Sequence, residues 1–251
     1  MSNESASGAL KPASAINEMF GRITRRYDLM NRLMTFGQDA GWRRKAVRAA
    51  LGAGDQRALD VATGTGDLAI ALADGGYREV IGLDFVPAMI EAAEKKRFDR
   101  SDITFVVGDA MALPYTDAHF DAVTVSFGLR NMKDYLGAIT EMARVIKPGG
   151  RFICLELTPF RKPVLGTMFN WYFTRIVPKV GGLLSGDAEA YRYLPTSVSA
   201  FPDAKSLIGL MDEAGLRANE YEVLGFGTVA LHVGIKPVAL GTRDQMPGIR
   251  K

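Results

Sequence analysis

Between residues 57 and 157 the chain alternates short runs of apolar, β-branched residues with stretches of helical spacing, and no other feature limits its fold so tightly. Runs such as "EVIGLD" and "AVTVS" are too short for helices, and each is separated from the next by a segment long enough for one. The order strand, helix, strand, helix predicts a parallel sheet covered by helices, because a parallel pair needs a crossover and the helix supplies it. Strands are expected at Arg57–Ala62, Glu79–Asp84, Ile103–Gly108, Phe120–Ser126 and Arg151–Leu157, with helices near Asp67–Ala73, Pro87–Lys96 and Asp134–Ile146. Pro87 suits a first helical turn, and "KPGG" at 147–150 reads as a helix stop followed by a tight turn. Near the C-terminus, "DAKSLIGLMDEAG" predicts a helix ended by Gly215. The runs "LRANEYEVLGF" and "TVALHVGIK" then predict two strands whose short link makes them antiparallel.

Two regions lie outside the alternation. Residues 16–51 carry apolar positions at helical spacing and predict an N-terminal helical cap ahead of the first strand. Residues 159–200 predict a helical insertion after strand 5, placed to cover the site. Residues 1–15 read as a disordered arm and 237–251 as a flexible tail, which leaves 16–236 as a single domain. With 251 residues, 47% of them hydrophobic, such a domain can bury a full core. A net charge of +3 is too small and too evenly spread to demand a nucleic-acid partner. A single cysteine, Cys154 in the apolar run "RFICLEL", offers neither a disulfide framework nor a metal-ligand set, so no metal is expected. The start has no signal-peptide pattern and no run is long enough to span a bilayer, so the expected location is cytoplasmic, at most on a membrane surface.

The first strand runs into "ATGTGD", where Gly64 and Gly66 open a helix. In open parallel sheets the ligand crevice lies at the carboxyl ends of the strands, so this turn should line it. A dinucleotide would set its pyrophosphate at the helix N-terminus, yet Asp67 stands there. Two like charges ~4 Å apart cost about 4 kcal/mol at an effective dielectric of ~20. S-adenosylmethionine has no phosphate and a net positive charge, and it suits a crevice lined by acids. Asp60, Asp67, Asp84 and Asp109 all fall at strand ends or turns on the expected side. Asp84 can accept from ribose hydroxyls, which supports a nucleoside of either kind; Asp109 can accept from an adenine amino group. A nicotinamide-dependent oxidoreductase is the reading from another class, opposed by Asp67, Asp109 and the lack of a Tyr-x-x-x-Lys pattern.

The set "LDVATGTGD", "GLDFVPAMI", "GDAMALP", "FDAVTVSFGLRN" and "VIKPGGRF" resembles the class I S-adenosylmethionine-dependent methyltransferases. More narrowly, "YDLMN", "SFGLRN", "YRYL" and "VALH.G" resemble the ubiquinone/menaquinone biosynthesis C-methyltransferase family, from about Ile16 to about Lys236. The resemblance implies a Rossmann-like sheet of seven strands, mostly parallel, with the antiparallel pair last. It also implies that Thr65, Asp84, Asp109 with Ala110, and Ser126 contact S-adenosyl-L-methionine. One departure stands out: Ala62 occupies the place of the usual first glycine in D-x-G-x-G-x-G, which puts the backbone path of the turn in question. The implied reaction is methylation of a ring carbon in a polyprenyl quinol, with demethylmenaquinol favoured and the benzoquinol of ubiquinone biosynthesis left open.

Such a ring must be electron-rich, so the substrate should be the reduced quinol, and loss of its phenolic proton, which titrates near ~10, makes the ring carbon nucleophilic. Arg130 of "GLRN" is the candidate for stabilising the developing oxyanion, and Asn131 could hold the second ring oxygen. Tyr27 is a candidate lid over the acceptor, and His232 a candidate to accept the quinol proton. Within 159–200, Phe160, Phe169, Trp171, Tyr172 and Phe173 interleave with Arg161, Lys162, Arg175 and Lys179, which suits an anionic membrane surface or a prenyl tail. A nucleic-acid acceptor is disfavoured because "SFGL" stands where an Asn-Pro-Pro-Tyr-like motif belongs, and a homodimer is left open.

Overall fold

The computed structural model of the chain describes residues 12–52, 54, 56–159, 175 and 188–238. Strands β1 (Arg57–Val61), β2 (Glu79–Asp84), β3 (Ile103–Val107), β4 (Phe120–Ser126) and β5 (Ile146–Leu157) run parallel, and β6 (Arg217–Leu224) and β7 (Val229–Ile235) complete the sheet antiparallel. The order β3-β2-β1-β4-β5-β7-β6 is doubly wound: the chain builds outward from β1 to β3, then returns to lay β4 on the other side of β1. That reversal sets the crevice at the carboxyl ends of β1 and β4.

Helices α3 (Asp39–Ala50), α4 (Asp67–Asp74) and α5 (Pro87–Arg97) cover one face, burying Trp42, Val47, Leu68, Leu72 and Ile90 against Val80, Ile103 and Ile153. Helices α6 (Tyr135–Val145) and α8 (Ala204–Glu213) cover the other, burying Ile139, Met142, Leu207 and Met211 against Leu59, Val123 and Phe152. Alternate residues of each strand thus enter different cores, which is why the strands read as unbroken apolar runs. Each large apolar side chain so buried contributes about 1.5–3 kcal/mol. Local chemistry fixes the helix ends. Asp134 caps α6 by accepting the Gly137 N–H at 3.0 Å, Asp203 caps α8 by accepting the Ser206 N–H at 2.9 Å, and α5 has Pro87 at its start and Lys95, Lys96 and Arg97 in its last turn.

Helices α1 (Ala13–Ile23), α2 (Tyr27–Met34) and α7 (Ala188–Ala200) form a cap with its own small core of Met19, Ile23, Met30 and Tyr193. The first of them begins inside the stretch expected to be an arm, at Ala13 behind Pro12, because its apolar positions already follow the helical period there. Of the insertion at 159–200, α7 packs on α1 and on the single turn Leu129–Asn131; the aromatic and basic run from Phe160 to Phe173, with Lys179, lies outside the described residues, as do 239–251 of the expected tail.

The "KPGG" segment departs from expectation. Helix α6 stops at Val145 and β5 starts at once at Ile146, so 147–150 is a bulge inside the strand, not a turn before it. Phe120 pairs with Ile146 but Ala122 with Arg151. The slack is taken up by Gly149 at φ +82° and by Gly150, where a Cβ would come within 2.7 Å of the Asp121 carbonyl oxygen. No helix among the described residues is long and apolar enough to cross a membrane.

Candidate active site

The turn after β1 is held from below. Asp60 ends almost fully buried; its Oδ2 accepts from the Thr63 hydroxyl and its Oδ1 from the Thr124 hydroxyl of β4, both at 2.6 Å. Burial pushes its carboxyl up to about 6, against the lowering effect of Thr124, Thr63 and the backbone N–H of Ala69 in the first turn of α4. A buried carboxylate therefore already occupies the anion-favouring end of α4, which leaves no place there for a pyrophosphate. Asp60 braces the turn and does not face the crevice.

Gly64 and Gly66 take φ +57° and +84°, as a strand-to-helix turn this tight requires. Ala62 follows the glycine-like path too, at φ +53°, so the methyl group in place of the first glycine of the broader D-x-G-x-G-x-G pattern does not divert the backbone. It has a consequence on the neighbouring loop: a Cβ at Gly128 would overlap the Ala62 methyl. Asp84, at the end of β2, accepts the Gly64 N–H at 2.8 Å through Oδ2 and the Val86 N–H at 2.9 Å through Oδ1. Burial raises its carboxyl, opposed by the N–H groups of Val86, Gly64 and Phe85. Each oxygen keeps a lone pair for another donor.

Asp67 corrects the charge argument made from sequence. Its carboxylate turns to the cap side, 2.5 Å from Lys96 Nζ and 3.2 Å from Arg43 Nη1, so its charge is neutralised there. Thr65 turns the same way: its hydroxyl donates to Asp28 of α2 at 2.6 Å and accepts from Lys96 at 2.8 Å, while Lys96 also pairs with Asp28 at 2.6 Å. These links clamp α2 and α3 over the glycine turn. The ring of Tyr27 lies over Gly64, whose added Cβ would sit 3.7 Å from Tyr27 Cε1. Burial raises the Tyr27 phenol; a side-chain hydrogen bond with Asn31 and the positive charge of Arg130 lower it, and Asp84 and Asp28 raise it. The phenol stays protonated near neutrality and acts as a donor. The ring of Tyr27 over Gly64 stands beside Asp84, which accepts the Gly64 N–H.

Arg130 follows β4 in the single turn Leu129–Asn131 and is buried. Its Nη1 donates to Glu156 Oε1 at 2.7 Å and to the Phe127 carbonyl, and its backbone N–H donates to Glu156 Oε2 at 3.2 Å. Glu156, at the end of β5, also accepts the Leu157 N–H at 2.8 Å. Two atoms in this turn are buried without a hydrogen-bond partner among the described residues: Nε of Arg130, a donor, and Oδ1 of Asn131, an acceptor. Tyr135 lies beside the pair; burial, then Tyr193 and Glu156, push its phenol up to about 12 despite Arg130.

His232 is not in this group. It sits in the middle of β7, opposite Cys154, where Nε2–H donates to the Ala204 carbonyl at the start of α8 at 2.9 Å. Burial lowers its pKa, offset in part by the carbonyls of Ala204 and Cys154. The side chain faces the α8 core, away from the crevice, so the proton-accepting role expected of it is withdrawn. Asp109 is exposed after β3 and closes a local turn by accepting the Met111 N–H at 2.9 Å; Ala110 and Ser126 are half-buried at the carboxyl ends of β3 and β4. Asp28, Lys96 and Glu156 were not among the sequence candidates. Only Glu156 carried a signal, as the lone acid in the apolar run "ICLEL".

The donor set fits S-adenosylmethionine. Asp84 offers an anion at the height of the glycine turn, the glycine backbone permits close approach, and α4 has no free anion site for a phosphate. No cluster of His, Cys, Asp and Glu able to hold a metal occurs among the described residues.

The sequence model of the ubiE/COQ5 methyltransferase family matches residues 9–236. A demethylmenaquinone methyltransferase of Thermus thermophilus is 48% identical over 221 residues, spanning 87% of this chain and 100% of the relative. A ubiquinone/menaquinone biosynthesis C-methyltransferase of a Geobacter species is 41% identical over 226 residues, 88% of this chain and 96% of the relative. Among solved structures, an S-adenosylmethionine-dependent methyltransferase of Thermotoga maritima superposes with a TM-score of 0.62 at 20% identity, covering 87% of this chain and 98% of its own, which shows the shared fold. The chain belongs to the ubiE/COQ5 methyltransferase family and is an S-adenosylmethionine-dependent C-methyltransferase.

Proposed function

We propose that this chain methylates a ring carbon of a polyprenyl quinol, converting demethylmenaquinol to menaquinol. The observation that carries the reading is the buried turn after β4, where adjacent residues leave one donor, Arg130 Nε, and one acceptor, Asn131 Oδ1, without a hydrogen-bond partner among the described residues. A quinol presents the complement, one ring oxygen that becomes anionic and one that keeps its proton. The names borne by the Thermus and Geobacter relatives support the same acceptor class.

S-adenosylmethionine supplies an electrophilic methyl group. Arg130 lowers the cost of forming the phenolate, because a fixed guanidinium in a dry site needs no reorganisation as charge develops. Glu156 holds the guanidinium in one orientation by occupying Nη1, which leaves Nε for the ring oxygen. Asn131 Oδ1 accepts from the second hydroxyl, and the protonated Tyr27 phenol donates from the lid. The lid also excludes water, so the ring is held in a near-attack geometry, and alignment of this kind supplies much of the acceleration. Asp84 would hold the ribose hydroxyls of the methyl donor, and the glycine turn would let it approach the backbone.

The test is transfer of labelled methyl from S-adenosylmethionine to demethylmenaquinol and to the corresponding benzoquinol, run anaerobically with each ring reduced and oxidised. Label in the quinols alone establishes reaction and redox state, and the ratio between the rings assigns the pathway. Absence of label in all four, with the methyl donor bound, refutes the acceptor.

A further inference from the structure

Helix α2 has two apolar faces, and only one of them is covered. Tyr27, Met30 and Met34 point into the cap core. Leu29 and Leu33, one turn apart on the opposite side, are 53% and 45% exposed, and Phe36 just beyond the helix end is 78% exposed. A helix that serves only as a lid needs polar residues on its outer face. Exposed leucines at this spacing on a short helix mark a contact surface.

The unpaired charge flanking that stripe is basic, since Asp28 beside Leu29 is paired with Lys96. Arg26 and Arg32 are exposed on either side of the leucines, and neither enters an ion pair among the described residues. The nearby rim adds a further apolar point. Gly225, in the β6–β7 hairpin, lies against Trp42 of α3, and the next residue, Phe226, is 87% exposed. The hairpin is tied to the carboxyl end of β5 by the Thr158 N–H donating to the Thr228 carbonyl at 3.0 Å. Exposed leucines flanked by two arginines match a surface that is apolar below and anionic above.

We propose that the outward face of α2 docks on an anionic lipid bilayer, with Leu29 and Leu33 inserted among the acyl chains and Arg26 and Arg32 at the headgroups. The geometry couples docking to the site: the inner face of the same helix carries Tyr27 over Gly64, so the crevice opens beside the bilayer. The benefit of this arrangement rests on the prenylated acceptor proposed above, since a lipid quinol then moves from membrane to site without crossing water. Docking itself is measurable without turnover, so the two readings fail separately.

The test uses the full-length protein and vesicles of phosphatidylcholine with or without phosphatidylglycerol, followed by co-sedimentation. The wild type should bind the anionic vesicles more tightly, and added salt should weaken that binding. Leu29→Ser with Leu33→Ser should raise the lipid concentration for half-binding about tenfold or more. Arg26→Gln with Arg32→Gln should remove most of the preference for phosphatidylglycerol. The leucine variant should methylate a tail-less, water-soluble quinol at the wild-type rate and lose activity on vesicle-embedded quinol. As a check independent of folding loss, a Leu33→Cys protein labelled with a polarity-sensitive dye should shift its emission to the blue when anionic vesicles are added; the sole native cysteine is buried. An unshifted dye, or a leucine variant that sediments with vesicles like the wild type, overturns the proposal. So does a wild-type dimer that the leucine substitutions convert to monomer without changing vesicle binding, which would assign the face to a second copy of the chain.

Discussion

A buried arginine is tolerable only with a buried partner, and that makes Arg130 and Glu156 inseparable in any experiment. Glu156→Gln leaves a guanidinium uncompensated and should cost about 3–5 kcal/mol in denaturant unfolding. Arg130→Met combined with Glu156→Gln should regain part of that loss, because no charge is left buried and the Gln oxygen still accepts the Leu157 N–H, while its amide nitrogen leaves the backbone N–H of residue 130 unpaired. Methyl transfer should not return with it. Arg130→Lys keeps the charge but not the fork, and kcat should fall about a hundredfold with the substrate quinol. A double variant both stable and active would show that the pair is structural. His232 gives the opposite expectation. Because its imidazole meets the Ala204 carbonyl in the α8 core, His232→Gln should lower stability by about 1 kcal/mol and leave the pH profile of kcat unmoved. A loss of the acidic limb of that profile would return it to catalysis, because a proton acceptor fails once it is protonated. From sequence, a strand histidine and an arginine after a strand look equally available. Only the sheet register, which sets His232 opposite Cys154 and Arg130 beyond the end of β4, separates them.

At the scale of elements, the site depends on two loops from adjacent strands meeting without room to spare. Ala62 takes a left-handed conformation that costs an L-residue about 1 kcal/mol, and its methyl group fills the space where Gly128 would otherwise carry a Cβ. Ala62→Gly should therefore be close to neutral or stabilising by a few tenths of a kcal/mol, the relieved strain set against added chain entropy. Gly128→Ala alone should destabilise by about 1–3 kcal/mol, since overlap between two Cβ atoms fixed to backbone cannot relax by rotation. The double variant should recover most of that cost, and a thermodynamic cycle over the four proteins measures the coupling. Purely additive effects would mean that the loops shift apart at no cost. That Ala stands where the broader D-x-G-x-G-x-G pattern has its first glycine was visible in the sequence, but its partner was not, because the two residues meet only once β1 and β4 are paired. The same limit explains the bulge at 147–150. A Pro-Gly-Gly string signals a break in either case, and whether it ends a helix or kinks a strand is decided by β4 and by residue 236 on the far side of it.

For the whole molecule, the alternation of strand and helix was legible because each strand is buried on both faces, so nearly every residue in it reports burial. The crevice was legible for the same reason: strand order puts the ends of β1, β2 and β4 together, and their terminal residues with them. What remained hidden was which acids face the ligand. Asp60, Asp67 and Asp84 look alike in the sequence, yet one is a buried brace, one is paired to Lys96 of α5 and Arg43 of α3, and one holds the glycine turn by the Gly64 N–H. The brace has a global signature. Unfolded, Asp60 titrates near the ordinary 3.8; folded, near about 6, so the native state binds an extra proton between those values. Its ionisation therefore opposes folding at neutral pH by about 3 kcal/mol, and that cost is relieved as pH falls through 6. Asp60→Asn keeps an acceptor for the threonine hydroxyls and removes the charge. Between pH 7.5 and 5 the wild type should gain stability over Asp60→Asn by about 1 kcal/mol, read from urea unfolding without the methyl donor. Comparison with the variant cancels the carboxylates remote from Asp60; Asp84, whose charge helps raise Asp60, is coupled to it. A stability difference that stays constant across that range would mean that burial does not strain Asp60, its hydrogen bonds to Thr63, Thr124 and Ala69 offsetting the lost hydration in full.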